Sequence, residues 1–255
     1  MSALLEVRDL VVEYAARGSR ARAVDGVSLD VERGETLALV GESGSGKTSL
    51  VRAIVRLVPA VGHVRFDGAD VLSLAPRELA AFRRRAQIVF QDPKASLDPR
   101  MRVGDIVREG IDIHRLAPRD AADLRVARLL GEVGLSAADA TRYPHEFSGG
   151  ERQRIAIARA LAVEPEFLVL DEAVSALDVL VRAQVLDLLA RLQAGRALTY
   201  LFIAHDLAVV ERIATRVAVM QRGRLVEVAP TAALFAAPSS SAAQALLAAI
   251  PRIPW

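Results

Sequence analysis

The sequence predicts an α/β protein in which a helical insertion divides a sheet core. Apolar runs of strand length alternate with helical patterns in the first part of the chain, and this alternation resumes at Phe167. From about residue 103 to residue 162 the pattern is helical throughout. One helix of this middle segment has an apolar face at spacings of three and four residues, formed by Val126, Leu129, Leu130 and Val133.

Strands are the main elements expected before the insertion. Apolar runs predict them over residues 4–12, 24–31, 36–40, 64–66 and 86–90. The small, polar and basic stretch 15–22 predicts a loop, and Asp67-Gly68 predicts a tight turn. A helix is expected over residues 50–58, because Pro59 follows and cannot continue it.

After the insertion the alternation of strands and helices continues to the end of the chain. Strands are predicted over residues 167–170, 198–204 and 217–220. Between the first two lies a helix whose apolar face comprises Val181, Val185, Leu188, Leu189 and Leu192. Residues 236–243 are rich in Ser, Ala and Pro and predict a connector before a short, apolar final helix.

The length of 255 residues and these patterns indicate one domain over residues 1–255. Its core is expected to comprise residues 1–92 and 165–235, and its helical subdomain approximately residues 93–164. Residues 236–255 are then a C-terminal extension.

Composition excludes several classes of function. The chain has no cysteine, so disulfides, thiolate metal sites and cysteine nucleophiles are absent. Lys and Arg number 33 against 31 Asp and Glu, and this balance does not predict nucleic-acid binding. The first ten residues are too polar for a secretory signal, and no run of apolar residues has the length of a membrane span. We therefore expect a cytoplasmic protein that reaches a membrane only through a partner.

A glycine-rich segment carries the strongest chemical signal. Residues 41–48, GESGSGKT, fit the pattern G-x-x-x-x-G-K-[ST] between a predicted strand and a predicted helix. Such a loop surrounds phosphates with N–H groups at the positive end of a helix. Lys47 is expected to bind β and γ phosphates and Thr48 to bind Mg²⁺; the alternative is a turn that binds nothing. The predicted phosphate-binding residues are Gly41, Ser43, Gly44, Ser45, Gly46, Lys47, Thr48 and Ser49.

A buried strand ends in two carboxylates. The run FLVLDE places Asp171 and Glu172 where a strand would leave the sheet, and ligands of α/β folds bind at such edges. Asp171 could hold Mg²⁺, directly or through water, and Glu172 could activate an attacking water. Taken alone the run also fits a strand that ends in solvated acids. The catalytic and metal-binding interpretation of these two residues therefore depends on the glycine-rich loop.

The helical insertion contains a predicted helix start, FSGGERQR. Ser148 and Glu151 form the pattern of a capping box. The N–H groups of Gly149 and Gly150 would lie at the positive end of this helix, where an anion binds well. Two glycines suggest close approach by a ligand, and a γ-phosphate is the candidate. The alternative is a well-capped helix that packs inward.

Three single residues are further candidates. Gln91 follows the strand that ends at Phe90 and could contact Mg²⁺ or the attacking water. His205 ends a core strand and precedes Asp206, which is expected to cap the next helix. Tyr14 ends the first strand; its ring could stack on adenine, or simply pack.

Three consecutive arginines at positions 83–85 indicate an exposed helix face.

In combination these motifs resemble those of ABC transporter ATPases. GESGSGKT looks like the Walker A motif, VFQDP the Q-loop, FSGGERQR the signature and FLVLDE the Walker B motif. SALD, residues 175–178, looks like the D-loop, and the AHD at His205 like the switch histidine. The resemblance implies a P-loop NTPase core with an antiparallel β subdomain and a helical subdomain. It also implies catalytic roles for Glu172, His205 and Gln91, and a nucleotide contact for Asp178.

Longer segments resemble one group within this family, the oligopeptide, dipeptide and nickel importers. These segments are FQDPKASLDPRM, YPHEFSGG, DEAVSALDV and the closing LLAAIP. Two segments, GHVRFDGADVLSL and IVFQDPKASLDPRM, are most similar to the second ATPase subunit of that group. Ala173 stands where Pro is usual and Glu151 where Gln is commonest. Residues 240–243, Ser-Ser-Ala-Ala, replace the usual His-Pro-Tyr-Thr.

The resemblance also implies partners. It implies a head-to-tail pair with a second ABC ATPase subunit, identical or related, that encloses two ATP molecules with Mg²⁺. It further implies permease subunits in the membrane and an external solute-binding protein, with the chain at the cytoplasmic face. A non-transport ABC ATPase and a non-hydrolysing scaffold are the alternatives. The first usually has paired domains or coiled-coil inserts, and the second would lack Glu172 or His205.

Overall fold

The computed structural model describes residues 3–16 and 19–249. The strands in this part of the chain are β1 (Ala3–Ala16), β2 (Ser19–Glu32), β3 (Thr36–Val40), β4 (Val61–Phe66), β5 (Ala69–Asp70), β6 (Ala86–Val89), β7 (Phe167–Asp171), β8 (Thr199–Ala204), β9 (Arg216–Gln221) and β10 (Arg224–Pro230). The α-helices are α1 (Lys47–Ile54), α2 (Pro76–Arg85), α3 (Pro93–Ser96), α4 (Val103–Ile113), α5 (Arg119–Glu132), α6 (Gly149–Leu161), α7 (Val179–Arg196), α8 (Leu207–Ile213), α9 (Thr231–Ala236) and α10 (Ser241–Ala248). Short 3₁₀ helices cover Ala137–Thr141 and Pro144–Glu146.

These elements form two compact units. The first comprises the described residues up to Arg83 and from Thr199 onward, and the second comprises Arg84–Leu198. The predicted α/β class is confirmed. None of the helices in the described residues combines the length and the apolar content needed to cross a bilayer.

The first unit contains an antiparallel sheet and a parallel set of strands. The antiparallel sheet has the order β2-β1-β4-β5. In the parallel set, β3 lies between β8 and β9, and β10 pairs with β9 in antiparallel fashion. All five residues of β3 are buried, as expected of a parallel strand covered on both faces. Its last residue, Val40, pairs with Ala204, so the segments after β3 and β8 leave the same edge of the sheet.

The second unit contains a parallel strand pair and the helical segment. Strand β6 pairs with β7, with Ala86 opposite Phe167 and Val89 opposite Leu170. Helices α4, α5 and α6 pack against one another through a buried apolar set that includes Val107, Ile111 and Leu130. The predicted helical pattern is therefore confirmed, whereas its predicted limits near residues 93 and 164 stay a prediction.

The prediction of a loop over residues 15–22 is wrong for the described residues 15–16 and 19–22, and residues 17 and 18 lie outside the description. Strand β1 continues to Ala16 and β2 begins at Ser19, so the two paired strands are longer than predicted. Arg22 pairs with Glu13 across the strands, with Nε 3.0 Å from the carboxylate. Cross-strand pairs of this kind stabilise polar strands that local composition does not reveal.

Other predicted boundaries also move. Helix α1 covers Lys47–Ile54 rather than residues 50–58, because its N-terminal turn begins directly after the glycine-rich loop. The connector expected over residues 236–243 is shorter, since α10 begins at Ser241. Ser240 caps that helix by accepting a hydrogen bond from Ala243 N at 3.1 Å.

The arginines at positions 83–85 do not form a simple solvated face. Arg84 Nε donates to the carbonyl oxygen of Val163 at 3.3 Å. Arg85 donates to both carboxylate oxygens of Glu166, at 2.6 and 3.0 Å. These two side chains tie the end of α2 to the segment before β7. The two-point contact of Arg85 with Glu166 matches the planar geometry of a guanidinium group.

Glu227 in β10 holds the start of the C-terminal helix. Its two carboxylate oxygens accept hydrogen bonds from Ser239 N at 3.0 Å and Ser240 N at 2.8 Å. Burial raises the pKa of Glu227, but these hydrogen bonds outweigh burial and lower the pKa to about 2. The charged carboxylate therefore stabilises the start of the segment 240–243, in which Ser-Ser-Ala-Ala replaces the usual His-Pro-Tyr-Thr.

Glu227→Gln should weaken this attachment, because a neutral amide accepts hydrogen bonds less strongly than a carboxylate. The folded pKa lies below the ordinary value of 4.5, so the contribution is fully present above about pH 4.5 and disappears as the pH falls towards about 2. Hydrogen exchange of the Ser239 and Ser240 amides at neutral pH should be faster in the variant. Equal exchange in the two proteins would contradict this role.

Candidate functional site

The glycine-rich loop at residues 41–46 fills a space that admits no side chain at two positions. A Cβ on Gly41 would lie 2.2 Å from the carbonyl oxygen of Met220, and one on Gly46 would lie 2.2 Å from that of Ala23. Gly46 also has a left-handed backbone with φ 108°. The loop is thus held against β9 and β2, and its conformation requires glycine.

Lys47 directs its ammonium into this loop. Nζ donates to the carbonyl oxygen of Gly41 at 2.8 Å, to that of Glu42 at 2.9 Å and to Ser45 Oγ at 3.4 Å. The residue is only 6% exposed. A buried positive charge is costly unless it is satisfied by polar partners. The loop provides those partners and concentrates positive charge at the N-terminus of α1, where an anion binds favourably.

The remaining residues of the loop differ in exposure. Ser43 and Gly44 are exposed at its tip, Ser45 is buried, and Thr48 and Ser49 are half-buried in the first turn of α1.

Tyr14 lies beside this turn. Its hydroxyl donates to Ser49 Oγ at 3.3 Å, and the residue is 39% exposed. Its ring is therefore close to the loop and partly accessible from solvent.

His205 lies at the same sheet edge as the loop. It follows the fully buried strand β8 directly, and it is exposed. The pairing of Val40 with Ala204 brings the starts of the two segments to one edge. Asp206 caps α8 by accepting a hydrogen bond from Ala208 N at 3.0 Å, which confirms the predicted N-cap.

In the second unit, the acidic pair lies at the end of β7. Asp171 is the last residue of that strand and is 7% exposed. Glu172 has a left-handed backbone with φ 48°, an uncommon conformation for a residue with a side chain. Gln91 Nε2 donates to Glu172 Oε2 at 2.8 Å, so the structure brings these two predicted residues together. Ser175 N and Oγ both donate to the carbonyl oxygen of Glu172, at 3.0 and 2.9 Å, and fix the turn.

The predicted capping box at the start of α6 is confirmed. Glu151 Oε2 accepts hydrogen bonds from Ser148 Oγ at 2.7 Å and from Ser148 N at 2.8 Å, while Ser148 Oγ accepts from Glu151 N at 3.3 Å. The bonds from Ser148 hold the pKa of the Glu151 carboxyl below its usual value. Gly149 is exposed and Gly150 is buried. Glu in place of the commoner Gln therefore suits this helix start.

Asp178 caps the next helix. Its carboxylate accepts a hydrogen bond from Val181 N at 3.0 Å at the start of α7. In the sequence Asp178 is expected to contact nucleotide, and the cap was not anticipated.

The predicted site residues divide between the two units. Tyr14, residues 41–49 and His205 belong to the first unit, and Gln91, residues 148–150, Asp171, Glu172 and Asp178 belong to the second. Met220 and Ala23, which exclude side chains from the glycine-rich loop, were missed by sequence reasoning. They lie far from the loop in the chain, and no local pattern marks them.

Comparison with known proteins decides the family. Residues 24–175 match the profile of the family described as ABC transporter. The chain belongs to the ABC transporter family. Within that family it is an ATP-binding protein and an ATPase, as its motifs predict.

Relatives in this family are closely similar. The oligopeptide transport ATP-binding protein OppF of Bacillus subtilis is 51% identical over 97% of this chain and 82% of its own length. A putative peptide import ATP-binding protein of Brucella ovis is 51% identical over 97% of this chain and 78% of its own length. The glutathione import ATP-binding protein GsiA of Escherichia coli is 50% identical over 97% of this chain, which covers 41% of that longer protein.

Solved ABC structures have the same fold. The ATP-binding cassette MJ0796, described as a dimer in a post-hydrolysis state with ADP and phosphate, superimposes with a TM-score of 0.81 at 26% identity, over 89% of this chain and 98% of that one. CbiO1 of Clostridium perfringens, described as part of an ABC transporter complex, superimposes with a TM-score of 0.82 at 27% identity. The match covers 93% of this chain and 92% of that one. The predicted ABC-type core is therefore confirmed.

Proposed function

We propose that this ABC ATPase energises an importer of peptides or of a related small solute such as nickel, and that it binds ATP with Mg²⁺ through the predicted site residues. The observation that carries the ATP site is the buried ammonium of Lys47 inside a loop whose Gly41 and Gly46 admit no side chain. Phosphate groups fit that arrangement, since the loop offers N–H groups, a positive charge and a helix N-terminus.

The roles proposed for the other residues follow from their chemistry. Thr48, Gln91 and Asp171 offer hydroxyl, amide and carboxylate oxygens, which are the ligands that Mg²⁺ prefers. When bound, Mg²⁺ would neutralise phosphate charge during hydrolysis. Glu172 would accept a proton from the attacking water, with its carboxylate oriented by Gln91. His205 would contact the terminal phosphate.

The proposed stacking role of Tyr14 has its own test. Tyr14→Ala should raise the KM for ATP at least about fivefold, because base–aromatic stacking contributes about 1–3 kcal/mol. Tyr14→Phe keeps the ring and loses only the 3.3 Å hydrogen bond to Ser49, so its KM should change little. ATPase assays over a range of ATP concentrations measure both. An unchanged KM in a folded Tyr14→Ala protein would indicate that the ring only packs.

We propose that the active form is a pair of ABC ATPase subunits, either two copies or this chain and a related one. The N–H groups after Ser148 would then bind the nucleotide held by the other subunit's loop. Beside Asp178, Val179 is 80% and Leu180 70% exposed, and adjacent exposed apolar side chains are suited to a subunit interface. The solved cassette MJ0796, similar in fold, is described as dimeric.

The importer assignment rests on the relatives. OppF and the Brucella protein are named for peptide transport and GsiA for glutathione, itself a small peptide. We propose that permease subunits hold the chain at the cytoplasmic face of the membrane and that a solute-binding protein delivers the solute outside the cell. A non-transport ABC ATPase would have no such partners.

Uptake measurements test this function. Deleting the gene in its own organism should abolish uptake of a labelled oligopeptide, of glutathione or of Ni²⁺, and the affected solute identifies the class. The wild-type gene should restore that uptake, and Lys47→Ala, made in equal amount, should not. Unchanged uptake of all three solutes would contradict the proposal, and failure of the protein to co-purify with membrane proteins would favour a non-transport ATPase.

A further inference from the structure

The start of α6 packs directly on the start of α7. A Cβ built on Gly150 would lie 2.2 Å from Val181 Cγ1, much closer than two carbon atoms that are not bonded to each other can approach. Gly150 has no positive φ, so its backbone would accept alanine. The need for glycine at residue 150 therefore comes from the side chain of Val181.

Gly149 differs in this respect. A Cβ on Gly149 would lie 3.9 Å from Leu177 Cδ2, which is an ordinary van der Waals contact. The second unit itself thus has room for a side chain at residue 149. Two adjacent glycines of the same motif meet different constraints, and this difference provides a matched control.

Val181 is also held through its backbone. Its N–H donates to the carboxylate of Asp178 at 3.0 Å. Further along the two helices, Arg154 Nη2 donates to Gln184 Oε1 at 3.2 Å. Val181 therefore links the Asp178 cap of α7 to Gly150 in the first turn of α6, and the Arg154–Gln184 bond keeps the helices together one turn later.

We propose that Val181 is a positioning residue. It fixes the position of the Gly149 and Gly150 N–H groups at the start of α6 and couples that position to the segment 175–178. The proposal rests on the proposed binding of the other subunit's nucleotide by these N–H groups. A shift of the α6 start by a few tenths of an ångström would move both N–H groups relative to a phosphate, and hydrogen-bond strength falls steeply with such misplacement.

The experiment is a suppressor test on the purified full-length chain. Gly150→Ala should lower kcat for ATP by about tenfold or more, since its new methyl group meets Val181 Cγ1. Adding Val181→Ala removes that atom and leaves the Cβ of Val181 at 3.6 Å, an ordinary contact. In the double variant the methyl group added at residue 150 occupies the space that the γ carbons of Val181 leave, so kcat should be higher than in either single variant. The Tm, which Gly150→Ala alone should lower, should recover in the same way. Failure of Val181→Ala to restore either quantity overturns the proposal.

Gly149→Ala provides the control. Any defect of that variant arises from the ligand rather than from Val181, so Val181→Ala should not restore it. Equal recovery in both backgrounds would mean that Val181→Ala acts nonspecifically, and the proposal would fall.

Single substitutions at Val181 separate positioning from packing. Well below its Tm, Val181→Ala should lower kcat several-fold with an unchanged KM for ATP, while Val181→Ile, which keeps both γ carbons, should retain kcat. A wild-type kcat in Val181→Ala would show that the residue only packs. If the wild-type chain hydrolyses no ATP under any condition, the proposed function fails. The Tm measurements would then still decide whether Val181 sets the space at Gly150.

Discussion

Glu172→Gln should bind ATP about as tightly as the wild type and hydrolyse it about 10²–10⁴ times more slowly, the usual contribution of a general base. The reason is that a neutral amide cannot accept the proton of the attacking water. The substituted side chain still offers an oxygen to Gln91 Nε2, which donates to Glu172 at 2.8 Å, so the local geometry should survive. Phosphate release and nucleotide binding, measured on the same preparation, separate the two effects.

A matched acidic residue controls for the loss of one charge. Glu164 is exposed and forms an ion pair with Arg125 at 3.0 Å in the same unit. Surface ion pairs contribute little to stability, so Glu164→Gln should hydrolyse ATP at the wild-type rate. Near-normal turnover in Glu172→Gln, or an equal loss in Glu164→Gln, would remove Glu172 from the role of base.

The parts of the fold that the sequence predicted well are those with local causes. Strand β3 was predicted over its full length, because a short apolar run precedes a glycine-rich loop, and the structure buries all five of its residues. The capping box of Ser148 and Glu151 and the cap at Asp206 depend on residues two or three positions apart. Such signals are contained in a short window of sequence.

The parts that were missed depend on residues far apart in the chain. Strands β1 and β2 extend into residues expected to be a loop, and Glu13 and Arg22 pair across them. Arg84 and Arg85 were expected to be solvated, and their partners lie about eighty residues later. Similarly, the requirement for glycine at Gly150 comes from Val181. A sequence pattern shows that glycine is present, and only the packing shows which atom excludes a side chain.

A mixture of two inactive variants, Glu172→Gln and Ser148→Arg, should recover ATPase activity. If each site takes its Walker residues from one subunit and Ser148 from the other, a mixed pair collects both defects in one site and leaves the other site intact. Random pairing of equal amounts then gives about a quarter of the wild-type activity. Each variant alone should be nearly inactive, because every site in it contains one defect.

The decisive control mixes Glu172→Gln with Lys47→Ala. Both defects lie on the Walker side, so every mixed pair has one defect in each site and no activity should return. Lys47→Ala with Ser148→Arg should recover as the first mixture does, because those defects again fall in one site.

Light scattering with ATP first establishes that the variants pair, and Tm measurements establish that they are folded. If the chain pairs only with a related ATPase, the same substitutions are placed across that pair. Equal recovery in all three mixtures would contradict a site shared between subunits, because only a shared site makes recovery depend on whether the two defects lie on the Walker side or at Ser148. Full activity of Ser148→Arg held as a monomer would contradict it as well.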